Sequence, residues 1–254
     1  MKRYLSEEAL NQYGQQGYII VPDLIPIHRL KLYEDRFLEI ITRDQNPSPP
    51  MKIMRDIMVV EKVVQPESII EGVNKLVNFE NDEILFKYTM ESKLLGVVRE
   101  LIGPDLFSIA TNFFNKPPKV DGRHPLHQDL RYFSMRPAES IIGTWTSISN
   151  ATRESGCLSV IPGSHKRSLA KHGSPNWKYI NAGFYGIANK PEEDRIHLET
   201  KPGETVLFHP LLIHGSGKNQ TDECRRALSS HYATASCQHP KKDWKIGNRI
   251  RKIS

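Results

Sequence analysis

The amino-acid sequence predicts a mainly β domain with flanking helices. Helical patterns are confined to roughly the first hundred residues, whereas short alternating or β-branched runs follow from Leu106 onward. Glycine and proline separate these runs, and strands do not alternate with helices as they would in a parallel α/β sheet. The C-terminal half is therefore expected to be antiparallel β structure. A chain of 254 residues is within the usual size of a single β-sandwich or β-barrel.

The N-terminal part begins with a predicted short helix. Ser6 is a suitable N-cap for it, and Gly14 and Gly17 are expected to end it before a strand over Tyr18–Val21. After Pro26, apolar residues recur at helical spacing and predict a second, longer helix, which the proline-rich stretch from position 46 to 50 breaks. Its predicted inward residues are Leu30, Tyr33, Phe37, Ile40 and Ile41.

Two more helical patterns, at 68–77 and 93–102, complete the predicted N-terminal region. The predicted strands cover 107–114, 140–149, 157–161, 196–200, 205–208 and 226–233. Between them, the connection from about 163 to 195 is long enough to be a functional loop or lid.

The composition excludes several classes of protein. Hydrophobic residues make up 38% and charged residues 25%, which is typical of a globular chain and not of a disordered one. The formal net charge of +6 favours anionic ligands without requiring nucleic acid, so no nucleic-acid partner is expected. Cys157, Cys224 and Cys237 form no CxxC pair, which disfavours a disulfide framework or a thiolate zinc site. No apolar stretch has the length of a signal peptide or a membrane span.

A His-x-Asp motif, His127-Gln-Asp129, predicts a metal site. In an extended strand the two side chains point to the same face, although a motif this short often arises by chance. His214 lies 85 residues further on, after an apolar run and before a glycine-rich turn, and is the expected third ligand. Two histidines and one carboxylate on one face are typical of non-haem iron(II) oxygenases, which keep coordination positions open for an oxoacid and dioxygen.

Other histidines are weaker candidates. The pair His197 and Glu199 has the same spacing, but only 15 residues and a turn separate Glu199 from His214. His209 lies five residues before His214, which in a regular strand points it to the opposite face. His231 is expected to be a core residue or an outer hydrogen-bond partner of the site.

An arginine near the metal could anchor the distal carboxylate of 2-oxoglutarate. Arg225 opens a predicted strand and shares a face with Ala227 and Ser229, whereas Arg226 faces the other way with Leu228. A guanidinium binds a carboxylate through two parallel hydrogen bonds. Strand parity favours Arg225, and a register slip of one residue would favour Arg226 instead.

Three stretches resemble the phytanoyl-CoA dioxygenase family. They are His124-Pro-Leu-His-Gln-Asp-Leu130, Glu154-Ser-Gly-Cys-Leu-Ser-Val-Ile-Pro-Gly-Ser-His165 and Phe208-His-Pro-Leu-Leu-Ile-His-Gly-Ser-Gly217. The similarity extends from about position 18 to 237, and the three motifs together are highly specific.

The resemblance implies a double-stranded β-helix core of the jelly-roll, cupin-like type. It further implies dependence on Fe(II) and 2-oxoglutarate, activation by ascorbate, and hydroxylation of C2 of a 3-methyl-branched fatty acyl-CoA with O2 in peroxisomal α-oxidation. By position, His127, Asp129 and His214 match the iron ligands, and Arg225 matches the partner of the distal carboxylate. Further co-substrate positions are Lys75, Asn112, Trp145 and Ser216. Asn112 differs from the family's residue at its position.

One domain is expected to cover residues 1–254, because the three metal ligands must converge. We expect a helical support region over about 1–104, a β-helix core over 105–237 and a solvated basic tail over 238–254. Compared with the mammalian-type enzyme, we expect this sequence to be shorter after Cys237 and to lack the N-terminal peroxisomal presequence. The expected location is the peroxisome by resemblance, and otherwise the cytoplasm.

Two other functions and one possible surface fit the sequence. The chain could be a related oxygenase acting on a small metabolite or a free acid, or a metal-bearing β-barrel that binds a ligand without turnover. Several cations flank the expected mouth of the site and either meet the phosphates of CoA or form a solvated surface. They are Lys116, Lys119, Arg123, Lys166, Arg167 and Lys171.

Overall fold

The computed structural model describes residues 3–43, 47, 49–187, 195–239 and 250–253. Its helices are α1 (Glu7–Gln16), α2 (Ile27–Arg43), α3 (Ile57–Val60) and α4 (Ser92–Ile102), with short 3₁₀ turns at Leu85–Met90, Asp129–Tyr132, Ala138–Ser140 and Ser164–Lys166. No helix among these residues is long and apolar enough to cross a membrane.

Fourteen strands are described. They are β1 (Tyr18–Val21), β2 (Lys52–Arg55), β3 (Val73–Val77), β4 (Leu106–Lys116), β5 (His124–His127), β6 (Ile141–Ser147), β7 (Leu158–Val160), β8 (His172–Gly173), β9 (Gly186–Ile187), β10 (Ile196–Leu198), β11 (Thr205–Phe208), β12 (His214–Ser216), β13 (Arg225–Thr234) and β14 (Arg251–Lys252).

Two antiparallel sheets form the core. The larger has the order β1-β11-β6-β13-β4-β3-β2, with β14 also paired to β4, and the smaller has the order β10-β7-β12-β5. A buried apolar cluster joins them, with Trp145 and Val206 from the larger sheet against Leu158 and Val160 from the smaller. Two sheets packed in this way form the predicted double-stranded β-helix, a jelly-roll core with flanking helices.

The N-terminal helices cover the outer face of the larger sheet. All five predicted inward residues of α2 are buried. Phe37 of α2 stacks on Phe113 of β4 with 4.0 Å between ring centroids, and both rings are fully buried. Burial of such a ring stabilises the fold by about 1.5–3 kcal/mol. This packing fixes β4, whose opposite face lines the functional site.

Helix α1 begins at its predicted N-cap but passes one of the two glycines that were expected to end it. The Ser6 side chain accepts a hydrogen bond from the Ala9 backbone N–H, as an N-cap should. The helix continues through Gly14 and ends at Gly17, which has φ 84° in the left-handed region.

The helix expected over 68–77 is wrong, because that segment contains a turn and the strand β3. Lys75 lies opposite Phe114 of β4 and Met54 of β2, so β3 is paired on both edges. The β-branched residues Val73 and Val77 suit such a strand, and its pairing outweighs the weak helical periodicity.

The C-terminal tail and the long connection are described in part. Arg251 and Lys252 pair with β4 and Ile253 is buried, so this part of the tail is attached to the sheet, although Lys252 is exposed as expected. The other basic residues of the tail lie outside the described residues. The expected lid contains the Ser164–Lys166 turn and the β8–β9 hairpin, and its positions 188–194 lie outside the described residues. Part of the proline-rich stretch after α2 also lies outside the described residues.

Candidate active site

The two sheets bring three side chains of the predicted metal site together. His127 ends β5, Asp129 follows after the extended residue Gln128, and His214 begins β12 directly opposite His127. The ligand atoms of the three residues all lie within 4.8 Å of one another, and the residues are buried. Asp129 Oδ1 lies 3.2 Å from His127 Nε2 and 3.6 Å from His214 Nε2.

Backbone carbonyls fix the tautomers of both histidines. His127 Nδ1 lies 2.8 Å from the carbonyl oxygen of Pro125, and His214 Nδ1 lies 2.9 Å from that of Leu212. A carbonyl only accepts hydrogen bonds, so we assign the proton to each Nδ1 and the lone pair to each Nε2. Lone pairs of two imidazoles and a carboxylate then face one another, an arrangement that a bound cation stabilises.

The charge states suit a divalent transition metal. Burial alone would raise the pKa of Asp129, but the neighbouring His214 and His231, together with the hydrogen bond from His231, hold that pKa well below its ordinary value. Burial lowers the pKa of His214 to about 4. A carboxylate and neutral imidazoles are the ligand forms that iron(II) requires, so these residues fit the metal.

His231 holds the remaining oxygen of Asp129. It lies on β13, and its Nε2 is 2.6 Å from Asp129 Oδ2. This contact orients the carboxylate so that Oδ1 faces His127 and His214. The sequence predicts His231 as a core residue or as an outer hydrogen-bond partner of the site. Its contact with Asp129 depends on the position of β13 in the sheet.

We predict that His231→Ala weakens metal binding by about 10–100-fold, the usual cost of losing the outer partner of a ligand. Affinity can be measured by titrating the apoprotein with manganese(II) under argon. His209→Ala is the matched control, because His209 is also buried but contacts His165, not the metal ligands. Wild-type affinity in the His231 variant would contradict this role.

A cavity of about 410 Å³ opens beside the three ligands. Its wall contains all the co-substrate positions that the family resemblance suggested, and each comes from a strand. They are Lys75 on β3, Asn112 on β4, Trp145 on β6, Ser216 on β12 and Arg225 on β13.

Arg225 points into this cavity. It is 4% exposed, its guanidinium lies 5.2 Å from the Trp145 ring, and Nη2 donates to the carbonyl oxygen of Gly156 at 3.0 Å. Its Nε and Nη1 are buried without a hydrogen-bond partner among the described residues. Buried, unpaired guanidinium donors are costly, and a ligand carboxylate could accept hydrogen bonds from this guanidinium. Arg226 turns away and binds Glu34 and Asn115.

Lys75 adds a second cation to the cavity. Its Nζ lies 4.9 Å from the centroid of the Phe184 ring and 5.9 Å from that of Phe114. Burial lowers the pKa of Lys75 to about 8, partly offset by the charge of Asp129. An anionic co-substrate would favour its charged form.

The competing histidines do not join the metal ligands. Glu199 accepts a hydrogen bond from the Arg153 backbone N–H, and His197 lies beside Cys157. His209 packs against His165. Within the described part of the chain, the ligand cluster found is that of His127, Asp129 and His214.

The expected basic surface at the mouth is wrong for Lys116, which is 6% exposed because it lies on the inner face of β4. Lys119 pairs with Glu67, and Arg123 pairs with Asp121. The other three cations, Lys166, Arg167 and Lys171, are exposed.

An aromatic wall was not predicted from the sequence. Phe184 stacks on His124 with 4.0 Å between ring centroids, and His124 in turn stacks on His127 at 4.2 Å. Tyr132 donates a hydrogen bond to the carbonyl oxygen of Gly183, which ties this segment to the turn that carries Asp129. No sequence signal marked Phe184, whereas Tyr132 lies only three residues after a predicted ligand.

The fold and the site together define an iron(II)- and 2-oxoglutarate-dependent oxygenase with a double-stranded β-helix core. Residues 13–227 match the family model described as phytanoyl-CoA dioxygenase (PhyH). The chain therefore belongs to the phytanoyl-CoA dioxygenase family.

Curated relatives agree with this assignment, and solved structures agree with the fold. The chain is 38% identical to a probable phytanoyl-CoA dioxygenase of Caenorhabditis elegans over 90% of its own length and 75% of the relative's. It is 37% identical to the human peroxisomal phytanoyl-CoA dioxygenase over 92% of its own length and 70% of that relative's length. Its fold is similar to that of the alpha ketoglutarate dependent carbocyclase SnoK, with a TM-score of 0.72 at 17% identity over 98% and 97% of the two chains. The fold is also similar to that of EctD from S. alaskensis with 2-oxoglutarate and 5-hydroxyectoine, with a TM-score of 0.71 at 18% identity over 94% of this chain and 79% of EctD.

Proposed function

We propose that the protein hydroxylates C2 of a 3-methyl-branched fatty acyl-CoA, phytanoyl-CoA, in fatty acid α-oxidation. The reaction consumes O2 and 2-oxoglutarate and releases succinate and CO2. The observation that carries the proposal is a single cavity in which the His127, Asp129 and His214 cluster adjoins both the unpaired guanidinium of Arg225 and an aromatic wall. The names of the relatives support the choice of substrate.

The polar part of the cavity suits 2-oxoglutarate. Arg225 offers two unpaired donor nitrogens, Nε and Nη1, to the distal carboxylate, and Ser216 lies two residues beyond the ligand His214. Trp145 lies against the guanidinium and limits its movement. These groups orient the oxoacid so that its other end faces the metal ligands.

The apolar part suits a branched hydrocarbon chain. Tyr132, Phe133, Phe184 and Tyr185 line the cavity near the ligands, and Tyr132 and Tyr185 are 43% and 37% exposed at its rim. Their rings offer a wide apolar surface and exclude water from the reacting carbon. When bound, iron(II) couples the oxidative decarboxylation of 2-oxoglutarate to insertion of one oxygen atom into the substrate C–H bond.

The same proposal includes the organisation and location of the protein. We infer one catalytic domain over residues 1–254, since the site draws on strands from β3 to β13. The human relative is described as peroxisomal, which supports a peroxisomal location. Ascorbate is proposed as an activator that keeps the metal in the iron(II) state.

A succinate-release assay compares the candidate functions. With iron(II) and 2-oxoglutarate present, we expect phytanoyl-CoA to stimulate succinate formation more than free phytanic acid or a straight-chain acyl-CoA does. Faster turnover of the free acid or of a small metabolite would favour a related oxygenase. Iron binding without succinate release for any acyl-CoA tested would favour a binding module.

A further inference from the structure

Lys116 is a buried cation that the proposed chemistry does not yet use. It is the last residue of β4, and its Cα lies directly opposite that of Arg225 on β13. Lys116 shares the cavity-facing side of β4 with Asn112 and Phe114, while the intervening Asn115 turns to the backbone of β3. A lysine is rarely buried to 6% exposure without a specific purpose.

Three acceptors surround the ammonium group. Lys116 Nζ donates to the carbonyl oxygens of Gly122 at 2.6 Å and Gly217 at 2.7 Å, and to Ser216 Oγ at 2.9 Å. An ammonium has three protons, so all of them are used. Lys116 thus has no donor left for a ligand and acts through Ser216.

This arrangement fixes the role of the Ser216 hydroxyl. Because Ser216 Oγ accepts from Lys116, its own proton points elsewhere, and it has no acceptor among the described residues. Ser216 lines the cavity together with Arg225. The hydroxyl therefore keeps its own proton for a ligand in the cavity that Arg225 also lines.

Lys116 and Arg225 form no salt bridge with a carboxylate of the described residues. Their side chains donate instead to backbone carbonyls and to Ser216. Burial, and then the charge of Arg225, lower the pKa of Lys116 well below its ordinary value. Burial also lowers the pKa of Arg225 to about 10. A carboxylate bound between them would offset both effects.

Gly156 shows how tightly this corner is packed. Its carbonyl oxygen accepts from Arg225, and its φ of 78° lies in the left-handed region. A Cβ added there would be 2.8 Å from Lys116 Cδ and 2.8 Å from the Gly217 carbonyl oxygen. The Lys116 stem therefore packs directly against the turn that positions the guanidinium.

We propose that Lys116 is a positioning residue that makes the site selective for a dicarboxylic oxoacid. It orients the Ser216 hydroxyl as a donor and supplies a second positive charge beside Arg225, so that both act on the distal carboxylate. This inference rests on the proposed function, because it assumes that 2-oxoglutarate binds with its distal carboxylate at Arg225.

Calorimetric titration tests this role without any acyl substrate. Manganese(II)-loaded protein is titrated under argon with 2-oxoglutarate and with 2-oxobutyrate, which lacks the distal carboxylate. We expect Lys116→Gln to weaken 2-oxoglutarate binding by about tenfold or more, the scale of a charge-assisted hydrogen bond, and to leave 2-oxobutyrate binding unchanged. Lys119→Gln, three residues away and exposed, is the matched control and should change neither.

A double variant tests whether Lys116 acts through Ser216. The loss in Lys116→Gln with Ser216→Ala should be smaller than the sum of the two single losses, because both remove one donor. Full additivity, an equal loss for both oxoacids, or unchanged 2-oxoglutarate binding would overturn the proposal. If Lys116→Gln does not fold by its melting curve, Lys116→Met, which keeps the apolar stem, replaces it. Since the readout is oxoacid binding, failure of the acyl-CoA assignment would leave this result unaffected.

Discussion

Asp129→Ala is expected to abolish succinate production. Loss of an outer partner of a metal ligand already costs about 10–100-fold, and removal of the ligand itself should cost more. Asp129 is also the single carboxylate between His127 and His214, and it accepts the hydrogen bond of His231. Without it the described cluster keeps two neutral imidazoles, which bind iron(II) weakly. Succinate release and iron content of the purified variant are the measurements.

The control for this variant is Asp222→Ala, which removes an exposed carboxylate from the same protein. It should retain wild-type turnover and metal content. Full turnover in Asp129→Ala, with its melting temperature unchanged, would contradict the assignment of Asp129 as a ligand.

Arg225→Ala is expected to raise the KM for 2-oxoglutarate by roughly 30-fold or more, since removing one partner of a buried, hydrogen-bonded charge pair costs about 2–5 kcal/mol. Arg225→Lys should recover little of this loss, because an ammonium cannot form the two parallel hydrogen bonds of a guanidinium. The measurement is the dependence of succinate release on 2-oxoglutarate concentration.

Arg226→Ala is the matched control in the same strand. Arg226 binds Glu34 of α2 and Asn115 of β4, so its loss should lower the melting temperature slightly and leave the KM for 2-oxoglutarate near the wild-type value. The opposite order of the two KM values would show that Arg226 anchors the co-substrate.

Local features of the fold could be predicted from the sequence. The helical spacing of Leu30, Tyr33 and Phe37 predicted α2, and the structure buries these residues. Strand parity placed Arg225 and Arg226 on opposite faces, and the structure does the same. Such inferences succeed because they depend on the period of one element and not on its neighbours.

Long-range packing explains what the sequence did not reveal. The sequence predicts Lys116 as a surface cation, since nothing local shows that β4 and β13 place it opposite Arg225. Phe184 of the aromatic wall lies in an irregular segment, whose sequence shows neither helical nor strand periodicity. Part of the segment 68–77 forms strand β3, because β2 and β4, which are distant in the sequence, pair with it.

Mass spectrometry of phytanoyl-CoA tests the central claim most directly. The full chain is incubated with iron(II), ascorbate and 2-oxoglutarate in air, with Asp129→Ala as the parallel control. The proposed function predicts a product with one added oxygen, located at C2 by fragmentation, formed in step with succinate and absent from the control. Recovery of unmodified phytanoyl-CoA from protein that binds iron and 2-oxoglutarate would contradict it.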